Sequence, residues 1–140
     1  MPRAFHDVAR PPGLYAGVPY DYAAIAEGKC LVFTAGACPL DADGRVVGPG
    51  DFEAQARQVL DNLFVTLRAS GAGPEHVLKT RVYVASSDRA DLVRVWDVVA
   101  TAFAPSRPPS TLLGVAALGY PDQLVEIEAV ALTRGSESEA

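Results

Sequence analysis

The stretch from Ser106 to Thr133 reads Ser106-Arg-Pro-Pro-Ser-Thr-Leu-Leu-Gly-Val-Ala-Ala-Leu118, then Gly119-Tyr-Pro-Asp122, then Gln123-Leu-Val-Glu-Ile-Glu-Ala-Val-Ala-Leu-Thr133. Two apolar, β-rich runs flank a turn built on Gly119, Pro121 and Asp122, a pattern that predicts a hairpin. The second run alternates. Val125, Ile127, Ala129 and Ala131 point one way, and Leu124, Glu126, Glu128 and Val130 the other. One face suits a core. The other carries two carboxylates in an otherwise apolar strand, where each must meet water, a cation or a ligand.

Working outward, Ser87 or Asp88 opens a helix whose stripe is Leu92, Val95, Trp96, Val99 and Phe103, and Pro105 ends it. Before it, His76 to Val84 alternates, with Leu78, Thr80, Val82 and Val84 facing a core and Lys79, Arg81 and Tyr83 facing away. An earlier helix starts at the N-cap Asp51 and carries Phe52, Ala56, Val59, Leu60, Leu63, Phe64 and Leu67 on one side; Gly71 and Pro74 stop it. Asp41 to Gly44 is a turn. It is superficially similar to a calcium loop, but Phe52 stands where the bidentate Glu is needed. Cys30 to Gly36 reads as a buried strand, Gly28-Lys29 as a turn, and Tyr20 to Glu27 as a short first strand. Residues 1–17 are expected to be irregular, and residues 134–140 to form a frayed tail.

Two amphipathic helices can cover one face of such a sheet, which makes the fold class α+β. The other face then carries Lys79, Arg81, Tyr83, Glu126 and Glu128 among apolar neighbours. That mixture suits a subunit interface with polar pockets better than a merely wetted surface.

The 140 residues suit one domain with one core. The formal net charge of -5 argues against a nucleic-acid surface, which needs clustered Lys and Arg. No apolar run approaches the ~20 residues of a membrane span, and residues 1–12 lack the apolar core of a signal peptide. A cytoplasmic location is expected, with Cys30 and Cys38 as reduced thiols. The spacing of Cys and His gives no metal site.

Several motifs, taken in order, are similar to the Rid family (reactive intermediate deaminases, also called YjgF-like or L-PSP-type proteins). They are Pro19-Tyr20, Phe33-Thr34-Ala35-Gly36 followed by Pro39, Asp43-Gly44, Gln58 with Asn62, Val77-Leu-Lys79, Val82-Tyr83-Val84 and Val125-Glu126-Ile127-Glu128-Ala129. The resemblance spans Val18 to Thr133. It implies a chorismate-mutase-like fold, a homotrimer with the sheets as a central barrel, and a small-molecule site at each subunit boundary. It implies no cofactor. Familiar members hydrolyse enamines and imines derived from amino acids, giving a 2-oxo acid and ammonia.

The resemblance assigns Tyr20, Ala35 and Gly36 to the pocket, with Ala35 replacing a Ser, and gives Glu126 the task of placing the attacking water. The family's carboxylate-binding Arg falls on Ser110. A guanidinium holds a carboxylate with two parallel charge-assisted bonds, and a hydroxyl cannot. That loss costs about 1.5–3 kcal/mol of binding. Arg107 is the candidate replacement, and Ser110 and Thr111 are candidate donors to a smaller or neutral group. A family helix Asn falls on Trp96, whose stripe position makes it a core residue. Glu126 has an alternative as an ion-pair partner of Arg81 or Lys79. Cys38 follows the Gly36 turn and is a candidate to line the same pocket, but reads better as a small buried hydrophobe. The expected function is hydrolytic deamination of a reactive enamine, imine or related carbonyl compound other than the usual 2-imino acids. The competing expectation is a metabolite-binding or regulatory trimer. The family's older ribonuclease label sits badly with the negative charge.

Overall fold

Both helices form where the apolar periodicity places them. The computed structural model describes residues 6–9, 12, 16–21, 23–26 and 30–133. Helix α1, Phe52–Ala69, starts at Asp51, whose side chain accepts from the Ala54 N–H at 3.0 Å. Glu53 in its first turn and Arg68 in its last complement the helix dipole. It ends at Ser70, and Gly71 follows with a φ of 86°, a conformation that suits glycine. Helix α2, Arg89–Phe103, is capped by Asp88. The helices meet through Phe64 and Phe103, edge to face with centroids 5.3 Å apart.

The strands are β1 (His6–Ala9), β2 (Ala23–Ala26), β3 (Cys30–Phe33), β4 (Val77–Val84), β5 (Ser110–Gly114) and β6 (Val125–Thr133). β1 and β2 pair antiparallel as a separate ribbon. The others form a mixed sheet in the order β3-β6-β4-β5, antiparallel except for β4 with β5. Two helices on a mixed four-stranded sheet give the expected α+β class. Val82, Val84, Val125, Ile127, Ala129 and Ala131 face the helices, where Val59, Leu63, Leu67, Val95 and Val99 complete the core. Leu63 is fully buried. Leu63→Ala is expected to cost about 2–5 kcal/mol, read as a lower midpoint in denaturant.

The hairpin expected from 106–133 does not form. β5 and β6 are separated by β4, to which each pairs on its own side. Residues 115–124, which connect them, are far more than a hairpin loop needs. A parallel β4–β5 pair requires a crossover, and α2 supplies it. The N-terminal stretch expected to be irregular contains β1, which finds a partner in β2. The expected first strand starts at Ala23 rather than Tyr20; Tyr22, Glu27, the Gly28-Lys29 turn and the 134–140 tail lie outside the described residues. On β4 a bulge between Val77 and Lys79 turns Val77, not Leu78, into the core.

Cys30 to Phe33 is not buried either. Leu31 is 50% and Phe33 73% exposed, and Leu113 on β5 is 42% exposed. The ladder registers place Phe33 beside Val130, and Thr111 and Leu113 beside Arg81 and Tyr83. These side chains share the sheet face that the helices leave uncovered. Among the described residues no helix is long and apolar enough to cross a membrane.

Candidate functional site

The alternation of β6 puts Glu126 and Glu128 on the uncovered face, and their surroundings differ. Glu128 lies opposite Arg81 on β4. Its Oε1 accepts from Arg81 Nη1 and from the Tyr83 hydroxyl, each at 3.0 Å. That bond, with burial and the carboxylate charge, raises the Tyr83 phenol above its usual pKa. Lys79 Nζ donates to Thr111 Oγ1 at 2.9 Å. Both cations of this face are thus engaged elsewhere, and among the described residues none pairs with Glu126.

Glu126 is half-buried and sits where the chain leaves β3. Thr34 N–H still donates to the Ala129 carbonyl at 3.0 Å, and Ala37 exchanges two bonds with Ile127. Ala35 and Gly36 bulge out between these anchors. The Glu126 carboxylate occupies the space a side chain on Gly36 would need; a Cβ built there lies 2.6 Å from Cδ and 2.8 Å from Cγ. Glycine at this position is therefore a matter of close approach rather than of backbone conformation. Glu126 Oε1 accepts from Cys38 Sγ at 3.3 Å and from Gln123 Nε2 at 3.2 Å.

Cys38 is thus not the inert apolar filler its sequence context suggests. Burial first, then the bond to Glu126 and its charge, push the thiol up to about 11. It stays a protonated donor throughout the neutral range. The folded chain holds this proton more tightly than the unfolded one, whose thiol titrates near 9.0. The associated stability is therefore present below pH 9 and is lost as pH rises toward 11.

Of the remaining expected residues, Ser110 and Arg107 lie on the other side of the sheet. Ser110 stands beside Thr80, and the Thr80 hydroxyl donates to Ser110 Oγ at 2.6 Å. Thr80 is buried and Tyr83, three positions along β4, is the residue opposite Glu126. Ser110 and Glu126 therefore occupy opposite faces, and Thr111 alone of the Ser110–Thr111 pair shares the face of Glu126. Arg107 is exposed, and its Nη2 donates to the carbonyls of Val18 and, at 3.3 Å, Tyr20. The Asp21 N–H returns a bond to the Arg107 carbonyl at 2.7 Å. Pro19, Thr80, Trp96, Phe103, Arg107 and Ser110 line a cavity of about 270 Å³. Trp96, expected in the core, packs against it half-buried and also lines this cavity.

One chain thus presents two separate groups: Glu126 with Gly36, Ala35, Cys38 and Gln123 on the open face, and Arg107 with Ser110 around the cavity. Gln123 has no counterpart in the sequence reading. Gln123 directly follows the turn at 119–122, where a polar side chain carries no sign of burial, yet it is 4% exposed. The signal for Cys38 was weak but present, since it follows Gly36 by two positions on the same extended segment.

This arrangement, a two-helix mixed sheet with a carboxylate set against a glycine bulge, defines a class that comparison with known proteins names. The endoribonuclease L-PSP family profile matches residues 13–133. The RutC family protein PH0854 of Pyrococcus horikoshii is 37% identical over 113 residues, covering 81% of this chain and 86% of that protein. The RutC family protein UK114 of Drosophila melanogaster is 34% identical over 120 residues, covering 86% and 83%. The crystal structure of YyfB from Yersinia pestis, described as a conserved Rid family protein of unknown function, superposes with a TM-score of 0.85 at 33% identity, covering 91% of this chain and 98% of that one. The chain belongs to the Rid/YjgF (endoribonuclease L-PSP) family.

Proposed function

We propose that this chain is a cytoplasmic hydrolytic deaminase of small, reactive imines or enamines, with Glu126 as general base. The observation that carries the reading is the Glu126 carboxylate itself. It is half-buried, free of any cation among the described residues, held at one oxygen by two donors, and set against the backbone of Gly36. A carboxylate spared an ion pair and held in place is suited to take a proton. Water adds to the C=N carbon while Glu126 removes its proton; the nitrogen is protonated, the C–N bond breaks, and a carbonyl compound and ammonia leave. An enamine enters the same path after protonation at carbon. Ala35 and Gly36 have backbone N–H groups without partners among the described residues, and these suit the developing charge on the substrate.

The two groups of candidate residues lie on opposite faces of one sheet, so one chain does not enclose a substrate. Leu31, Phe33 and Leu113 leave an apolar patch on the open face that a second copy would cover. Our reading is a homotrimer in which Ala35, Gly36, Thr111 and Glu126 of one copy meet Tyr20, Arg107 and Ser110 of the next at subunit boundaries. Ser110 is bonded to Thr80, and Arg107 is engaged with two carbonyls. Neither offers the free fork a carboxylate requires. The substrate is therefore neutral at that end, and 2-imino acids are poor ones.

The test is release of ammonia from freshly generated 2-iminobutyrate and from a neutral imine of similar size. We expect the neutral imine to be accelerated more than the 2-imino acid. Acceleration of neither overturns the deaminase reading. The committed state of Ser110 and Arg107 also favours a second reading, a trimer that binds a metabolite without chemistry; it predicts a saturable ligand recovered unaltered.

A further inference from the structure

Two donors on one oxygen of Glu126 is more than its solvation requires, since the side chain is only half-buried and water could serve. Both donors are also braced from α1. Asn62 Nδ2 donates to the carbonyls of Cys38 and Leu40, each at 2.9 Å, and so fixes the segment bearing the thiol. Gln58 Nε2 supports Asn62 Oδ1 at 3.1 Å and Leu40 O at 3.3 Å. On the other side, Gln55 is fully buried. Its Nε2 donates to Asp122 O at 2.9 Å, and its Oε1 accepts from the Leu124 N–H at 2.7 Å. That pins the turn bearing Gln123. The Gln123 amide has one permitted orientation. Its Oε1 accepts from the Tyr120 N–H at 3.1 Å, so Nε2 must face the Val125 carbonyl at 3.1 Å and Glu126.

The other ionisable neighbours do not compete for Glu126. Tyr83 lies directly across on β4, but its hydroxyl is given to Glu128, as is Arg81. Glu126 Oε2, set against Gly36, is left without a protein donor among the described residues.

We propose that Cys38 and Gln123 are positioning residues: they hold Oε1 of Glu126, so that Oε2 is the oxygen presented to the attacking water. The proposal rests on the deaminase reading above. It assigns the polar face of α1, through Gln55 and Asn62, to the aim of a catalytic group on the opposite side of the core.

Two measurements test it. In a Cys30→Ser background, which removes the other, exposed thiol, the S–H stretching band of Cys38 is recorded by infrared spectroscopy. We expect a band lowered by hydrogen bonding to carboxylate, which moves up in Glu126→Gln. Kinetics of Cys38→Ala and Gln123→Met follow. Each is expected to lower kcat about tenfold, and the pair about a hundredfold, with KM within about twofold, because a small misplacement of a base is costly. Cys38→Ser keeps the donor and should recover most of the loss. A purely structural role would show no such rescue and no band shift. Should Gln123→Met fail to fold, Cys38→Ala and the S–H band still decide. An unshifted band, or full kcat in both variants, overturns the proposal alone. Absence of turnover by the unmodified protein overturns the deaminase reading and this proposal with it.

Discussion

Glu126→Gln is expected to lower turnover by about 10²–10⁴-fold, the usual contribution of a positioned acid or base, while the protein stays folded. The substitution is nearly isosteric. The Gln side-chain oxygen can still accept from Cys38 Sγ and Gln123 Nε2, which now reach Oε1 at 3.3 and 3.2 Å. No cation is orphaned, because Arg81 is paired with Glu128 and Lys79 is bonded to Thr111. The core strand residues on either side, Val125 and Ile127, are untouched and fully buried. What changes is the ability to take a proton. An amide cannot do so near neutral pH, so the loss falls on kcat. The assay is steady-state release of ammonia from the best imine found, with thermal melting as the control for folding. Unchanged turnover would remove Glu126 from the mechanism. Equal losses of turnover and melting temperature would make it a structural residue instead. Glu128→Gln is the informative companion. It removes the charge that pairs with Arg81 and weakens the Arg81 and Tyr83 contacts on the same face without touching the Gly36 bulge, and so is expected to spare kcat.

Much of the fold was legible because it follows from periodicity. The stripes of α1 and α2 repeat as a helix requires, and Asp51 and Asp88 announce their starts. The alternation of β6 correctly separated Ile127 from Glu126 and Glu128. Pairing was another matter. Ser110–Gly114 and Val125–Thr133 look like hairpin partners because they are neighbours in sequence with a turn between them. Nothing local reveals that β4 inserts between them, since strand order is decided by long-range packing. The exposure of β3 was hidden for a related reason. An apolar strand reads as buried, and whether the same chain or another copy buries it is not written in its composition. At the site, Glu126 and Gly36 could be named because they sit in recognisable strings. Their contact, 90 positions apart in the chain, depends on the β3–β6 register. The donors Cys38 and Gln123 were harder, since a lone thiol and a turn amide carry no pattern. Their role is visible only once Asn62 and Gln55 are seen to brace them.

Gly36→Ala is the second large effect expected, and it separates position from chemistry. A Cβ at residue 36 would lie 2.6 Å from Glu126 Cδ and 2.8 Å from Cγ, well inside van der Waals contact. Something must move. No positive φ holds Gly36, so Ala carries no backbone penalty there. The obstacle is the far end of a flexible side chain, and rotating Glu126 toward solvent relieves it. The stability cost is therefore modest, about 1–3 kcal/mol at most for overpacking. The functional cost is large. A rotated Glu126 leaves Gln123 Nε2 with the Val125 carbonyl alone and Cys38 Sγ with the more distant Gly36 carbonyl, and its carboxylate no longer faces the Ala35–Gly36 backbone. Turnover should fall by about 10²-fold or more, the scale on which misplacing a catalytic group acts. The control is Gly119→Ala, since a Cβ at Gly119 meets nothing within 4 Å; it should leave both melting temperature and turnover unchanged. The Cys38 S–H band reports the displacement directly, because it moves up when the carboxylate swings away. If Gly36→Ala keeps full activity with Glu126 displaced, the carboxylate does not act from the position it occupies here. If the band stays put, the bulge has yielded instead of the side chain, and any loss of activity belongs to the backbone groups of Ala35 and residue 36.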